Sequence, residues 1–139
     1  MAMQLKIARS AKELDDVFWL RHEVYVVEDG KYAGESFPGQ RIVDRFDAFP
    51  HCVNIIAYDL SEPVGTLRIS LDGGIGLPCE EYCHLTGYRS EAAREDAQQQ
   101  GRSPLDTCAG MLAVRKQCKS RRDVIRALIK MAVGVWHSW

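Results

Sequence analysis

The hydrophobic positions of this chain change period several times, and each change marks an element. Residues 4–8 alternate as a short strand. Ser10 and Glu13 stand at capping-box spacing, where a serine accepts from the first turn and a glutamate reaches back to it. A helical pattern follows over residues 11–28, with Leu14, Val17, Phe18, Arg21, Val24 and Tyr25 near one face and Asp29-Gly30 at its end. Residues 30–40 carry three glycines and Pro38 and read as a surface loop. A β-branched run at 53–58, turn chemistry at 60–63 and a second alternating run at 64–71 predict an antiparallel hairpin.

Gly73, Gly74, Gly76 and Pro78 then break the pattern. Residues 79–103 are polar and helix-tolerant, and two readings are open for this exposed insertion: surface elaboration, or a lid over a substrate. Residues 105–114 restore a strand. Gly110 interrupts it, and a glycine there marks a bulge or a close backbone approach. The last helix is expected over 123–136. Val124, Leu128, Met131 and Val135 form its apolar stripe, with Ile125, Ile129 and Ala132 beside it. Strands alternating with helices define an α/β or α+β chain. We expect one domain, residues 1–139, with a polar insertion at about 73–103.

Composition narrows the function classes. Hydrophobic residues make up 46% and charged residues 27% of the 139, the balance of a globular protein with a real core. The formal net charge of -1 removes any global field toward nucleic acid, and the basic residues near 115–122 lack aromatic interleaving. The amino terminus has no apolar signal run and no segment is long and apolar enough to span a bilayer, so the expected location is cytoplasmic. Five cysteines, an odd number, do not suggest a disulfide framework. Cys79, Cys83 and His84, with His51, fall short of a four-ligand zinc pattern, and no metal is expected. Cys52, Cys108 and Cys118 are expected to pack as small apolar side chains.

One local cluster points to chemistry. Lys119, Ser120, Arg121 and Arg122 form a turn that opens the last helix. Free N–H groups and the positive dipole end make such a turn an anion site, and cations there are otherwise unfavourable to the helix. The alternative is a solvated basic turn before a core helix.

Taken together, these segments resemble the GNAT N-acyltransferase superfamily. Leu20-Arg-His-Glu-Val-Tyr-Val-Val-Glu28 is similar to the Leu-Arg-x-x-Val-Phe-x-x-Glu helix of the subgroup holding the autoinducer synthases and N-acyl amino acid synthases. Asp44-Arg-Phe-Asp47, then His51 and the hairpin ending Val64-Gly-Thr-Leu-Arg-Ile69, resemble its Asp-x-x-Asp and Gly-x-x-Arg segments. Gly110-Met-Leu-Ala-Val114 and the basic turn look like the central strand and pyrophosphate loop.

The resemblance implies a mostly antiparallel sheet flanked by helices. It also implies an acyl thioester donor, on coenzyme A or on the phosphopantetheine of an acyl carrier protein. Leu112, Ala113 and Val114 would bind pantetheine through their backbone, and Lys119, Ser120, Arg121 and Arg122 its phosphates. An amine of an amino acid or other small molecule would attack directly, with the entropic cost reduced by holding both reactants together. Arg21, Asp44, Asp47 and Arg68 would cluster beside the acceptor. They would serve either to orient the amine and relay its proton, or as a buried ion-pair network fixing the first helix to the sheet. His51 is open to the same two roles, base or structural.

Several departures accompany the match. Ser120, Arg121 and Arg122 stand where the family's loop carries glycines. Cys108 and Met111, with Asp106 nearby, stand where the autoinducer synthases carry an acid and an arginine, which argues against homoserine-lactone synthesis. A tryptophan expected after the first-helix motif is missing. The family's further strand, helix and closing hairpin are expected to be lacking after Trp139, leaving Val133, Val135, Trp136 and Trp139 at an uncovered edge. A homodimer that completes the sheet is therefore expected. The alternative is a non-catalytic truncated relative that binds an acyl carrier or protein partner.

Overall fold

The computed structural model describes residues 2–72, 76–82, 95, 99–100 and 106–139. Four strands form one sheet in the order β1-β2-β3-β4, every neighbouring pair antiparallel. β1 (Met3–Ile7) leads into helix α1 (Ala11–His22), whose start is held by the expected capping box. Glu13 N–H donates to the Ser10 hydroxyl at 3.2 Å, and the Glu13 carboxylate accepts from Ser10 N–H at 3.1 Å.

The helical pattern over 11–28 is one run in the sequence but two helices in the structure. From Glu23–Glu28 the backbone widens into a π-helix, closed by Asp29 N–H donating to the Val24 carbonyl at 2.9 Å. The 3.6-residue period therefore fails beyond His22, and the cause is tertiary. Glu23, Tyr25 and Glu28 each bond to residues between Leu112 and Lys116.

β2 (Cys52–Asp59) and β3 (Glu62–Leu71) make the predicted hairpin with a tighter turn than residues 60–63 suggest. Leu60 and Ser61 alone turn the chain, both at positive φ (48° and 71°), the pattern that matches strand twist. Glu62 and Pro63 already belong to the strand. Pro63 sits where the register slips between Ala57 and Tyr58, a place where a missing N–H does little harm.

β4 (Thr107–Val114) is the far edge of the described sheet, and helix α2 (Arg121–Ser138) follows it, two residues longer at each end than its pattern suggests. Leu105 lies outside the described residues, as do Gly73, Gly74, Cys83, His84 and most of the 73–103 insertion. Of that insertion, Pro78–Glu81 forms one 3₁₀ turn.

The helices cover opposite faces. Val124, Leu128 and Ala132 of α2 pack on Ile55, Ala57, Leu67, Ile69 and Val114. Val17 and Leu20 of α1 pack on Ile56 and Tyr58. Met131, Val135 and Ile125 join the α2 side partly buried, but Ile129 is about half exposed. Gly65 lets α2 come close: a Cβ there would stand 2.9 Å from Val124 Cγ1 and 3.2 Å from Leu128 Cδ1. Among the described residues no helix is long and apolar enough to cross a membrane.

Candidate active site

The Asp44-x-x-Asp47 spacing acts first as a local cap. A 3₁₀ turn at Arg45–Ala48 is closed by Phe46 N–H donating to Asp44 Oδ1 (2.9 Å) and Asp44 N–H donating to Asp47 Oδ2 (3.0 Å). This holds both carboxylates over the α1 face of the sheet. Arg21, fully buried, reaches them from α1. Its guanidinium donates to Asp47 Oδ2 at 2.8 Å, Asp47 Oδ1 at 3.0 Å, Asn54 Oδ1 at 2.7 Å and the Ile42 carbonyl at 3.3 Å. Arg68 arrives from β3, donating to Asp44 Oδ1 at 2.6 Å and lying 3.4 Å from Asp47 Oδ1. All four residues the sequence singled out meet in one cluster.

Their environments differ. Asp47 and Arg21 are almost wholly enclosed and bind each other through two parallel bonds. Burial alone raises the Asp47 carboxyl, but the bonds and charge of Arg21, the Asp44 N–H and the Arg68 charge bring it down to about 2. Arg21 Nε is buried without a hydrogen-bond partner among the described residues. Asp44 is one-third exposed, the more accessible of the two carboxylates. Asn54, a polar residue inside an apolar strand, completes the network by donating to Asp47 at 3.2 Å. Its isolation as a polar residue within the apolar run 53–58 is the signal that the sequence carries for it.

Beside the cluster lies a pocket of about 200 Å³, lined mainly by Phe46, Phe49, Pro50, His51, Cys52 and Ser70. The Ser70 hydroxyl is buried and has no nitrogen or oxygen partner, and the Cys52 sulfur across the ladder offers only a weak contact. Burial pushes the Cys52 thiol up, which disfavours a thiolate nucleophile. His51 is exposed at the rim.

Gly110 does not itself form the predicted bulge. It pairs with Arg68, and a Cβ there would meet nothing within 4 Å. The slip falls on the next two residues: Thr66 pairs with Ala113 and Arg68 with Gly110, so Met111 and Leu112 together face Leu67. Met111 takes the left-handed φ of 52° that a bulge residue adopts. The displaced Leu112 carbonyl accepts the Tyr25 hydroxyl at 2.6 Å. Ala113 and Val114 are buried beyond it.

The basic segment at 115–122 divides in two. Arg115 and Lys116 are spent internally, on Glu23, Glu28 and Asp29. Lys119, Arg121 and Arg122 make no ion pair among the described residues. With Ser120, Asp123 and Arg126 they line an open cleft of about 540 Å³. No side chain caps the helix start at Ser120. On the α2 face a groove of about 370 Å³ runs between β4 and the helix, past Leu112, Ile129, Val133 and Trp136. Among the described residues no group of three or more His, Cys, Asp or Glu side chains stands together as a metal site.

Comparison with known proteins agrees with this architecture. The family model for FeeM, an N-acyl amino acid synthase, matches residues 16–138, and the chain belongs to that family. A putative acetyltransferase of Bacillus subtilis (strain 168), BSU40680, is 34% identical over 88 residues, covering 63% of this chain and 55% of that protein. YjcF of the same strain, an uncharacterized N-acetyltransferase, is 31% identical over 88 residues, or 63% of this chain and 56% of its own. The chain thus spans a little over half the length of these relatives. The solved structure of FeeM, an N-acyl amino acid synthase from uncultured soil microbes, superposes with a TM-score of 0.63 at 14% identity, over 96% of this chain and 64% of that one. The shared fold is GNAT-like.

Proposed function

We propose that this chain carries the N-acyltransferase site, moving an acyl group from acyl-CoA or an acyl carrier protein to the amine of an amino acid or other small molecule. The observation that carries this reading is the β4 bulge at Met111–Leu112. It takes Met111 and Leu112 out of the ladder next to Gly110, which pairs with the Arg68 that holds Asp44, on the strand that leads to the basic helix start. A thioester laid along residues 112–114 meets backbone donors there, and its phosphates reach Lys119, Ser120, Arg121 and Arg122. The family match and the acetyltransferase names of the relatives support the same reaction class.

In this reading Asp44 holds the acceptor's ammonium and passes one proton toward water. The free amine attacks the thioester carbonyl, the C–N bond forms, the C–S bond breaks, and the thiol leaves with a proton. Arg21, Asp47 and Arg68 keep Asp44 in place. The pocket under Phe46 and Phe49 takes the non-reacting part of the acceptor, where the Ser70 hydroxyl, held only by its weak contact with the Cys52 sulfur, selects a hydrogen-bonding substituent. The apolar groove beside Ile129 and Trp136 supports a homodimer.

The test is acyl transfer from acetyl-, octanoyl- and dodecanoyl-CoA, and from an acylated carrier protein, to a mixture of amino acids, read by thiol release and product mass. Amide formation with one donor class supports the reading. No product with any donor, together with no thermal shift by coenzyme A, overturns it in favour of a non-catalytic carrier-binding relative.

A further inference from the structure

We propose that Tyr25 is a positioning residue for acyl transfer, its hydroxyl holding the Leu112 peptide so that the strand's backbone donors stay aimed at the thioester. The proposal rests on the thioester reading of β4 given above. Three observations converge on it. The hydroxyl donates at 2.6 Å across 87 residues of sequence, and its acceptor is the carbonyl that the bulge frees from the ladder. The helix presenting Tyr25 is a π-helix, a rare geometry concentrated at functional sites. That helix is fastened to the strand exit on both sides of Tyr25. Glu23 pairs with Arg115 at 3.5 Å, and Glu28 accepts from Arg115 Nε at 3.2 Å and Lys116 N–H at 3.0 Å. Lys116 Nζ closes the clasp on the Glu28 carbonyl at 2.9 Å.

The physical consequence follows from the pairing of the strand. Ala113 pairs with Thr66 in the ladder, so the donor at issue is the Leu112 N–H, which belongs to a residue the bulge leaves unpaired and which is held when the Leu112 carbonyl is fixed. A donor aimed in advance at a developing oxyanion accelerates acyl transfer because nothing reorganises during the reaction. Met111, in the left-handed region, leaves the adjoining backbone without the ladder bonds that would otherwise set its direction. The phenol supplies that direction. Burial pushes the Tyr25 hydroxyl up to about 12, so it remains a donor through the neutral range.

Tyr25→Phe keeps the ring and removes the bond. With the donor that wild-type protein uses, kcat is expected to fall roughly tenfold or more, while KM for the thioester and the melting temperature stay near wild type. The companion variant Glu28→Gln loosens the clasp but leaves the hydroxyl, and is expected to lower the melting temperature with a smaller loss in kcat. An unchanged kcat in Tyr25→Phe overturns the proposal while leaving the thioester reading intact. A parallel fall of kcat and melting temperature in Tyr25→Phe also overturns it and makes the residue a brace. Wild-type protein inactive with acetyl-, octanoyl- and dodecanoyl-CoA and with the acylated carrier overturns the thioester reading and this proposal with it.

Discussion

The two faces of the β2–β3 hairpin are built on opposite principles. Toward α2 the strands present Val53, Ile55, Ala57, Leu67 and Ile69, which pack on Val124, Leu128 and Ala132. Toward α1 they present Cys52, Asn54, Thr66, Arg68 and Ser70, and only Ile56 and Tyr58 meet the helix as apolar contacts. The α2 face is held by area, which is non-directional and shared among many contacts. The α1 face is held by bonds between named atoms, where losing one partner strands another in a place water does not reach. A sheet whose second face is given to charge has less apolar surface for stability there, and the site reading accounts for that expense.

The largest expected break is Asp47→Ala. It leaves the Arg21 guanidinium buried with its main counter-charge gone, and should cost about 3–5 kcal/mol in denaturant unfolding. Arg21→Met combined with Asp47→Leu should recover most of that loss. Failure to recover would mean that the network fixes the fold by more than charge pairing. Leu128→Ala on the other face should cost about 3 kcal/mol through lost transfer energy and a cavity, with no partner change able to restore it.

Acid separates the faces further. The Asp47 carboxyl sits at about 2, below its ordinary 3.8. Its folded-state value is depressed, so its contribution is complete above about 4 and is lost as pH falls toward 2, up to about 2 kcal/mol. Melting temperature against pH should fall through that window in wild-type protein, and the slope should flatten in Asp47→Asn. The smallest expected effect on the fold is Arg121→Glu with Arg122→Glu. These residues make no ion pair among the described residues, and acids suit a helix start, so stability should change by less than about 0.5 kcal/mol. The thermal shift produced by coenzyme A should disappear. A retained shift would remove the phosphate role from this turn.

The pattern of the chain made much of the architecture legible. The Ser10–Glu13 cap, the hairpin and the α2 stripe all follow from residues within a turn or two of one another. What was not legible came from distance. Tyr25 and Glu28 continue the helical pattern, and only their bonds to Leu112, Arg115 and Lys116 explain a π-helix. Gly110 was a natural candidate for a bulge. The register instead slips at Met111 and Leu112, between the Arg68–Gly110 and Thr66–Ala113 pairs, so pairing on either side, and not local freedom, decides where the extra residue goes. Arg21, Asp44, Asp47 and Arg68 were singled out by resemblance. Residue type alone left an ion-pair network and a proton relay equally open, and the geometry assigns enclosure to Arg21 and Asp47 and access to Asp44.

The sequence by itself determined which segments are strands and helices, which faces are apolar, and where positive charge gathers. These are matters of period and neighbour chemistry, settled within a few residues. Only the tertiary structure decided which polar residues are saturated and which remain available. Arg115 and Lys116 look the same as Arg121 and Arg122 along the chain, yet the first two are consumed by Glu23, Glu28 and Asp29. Saturation depends on partners far off in sequence that packing brings within 3–4 Å, and no local pattern encodes that distance.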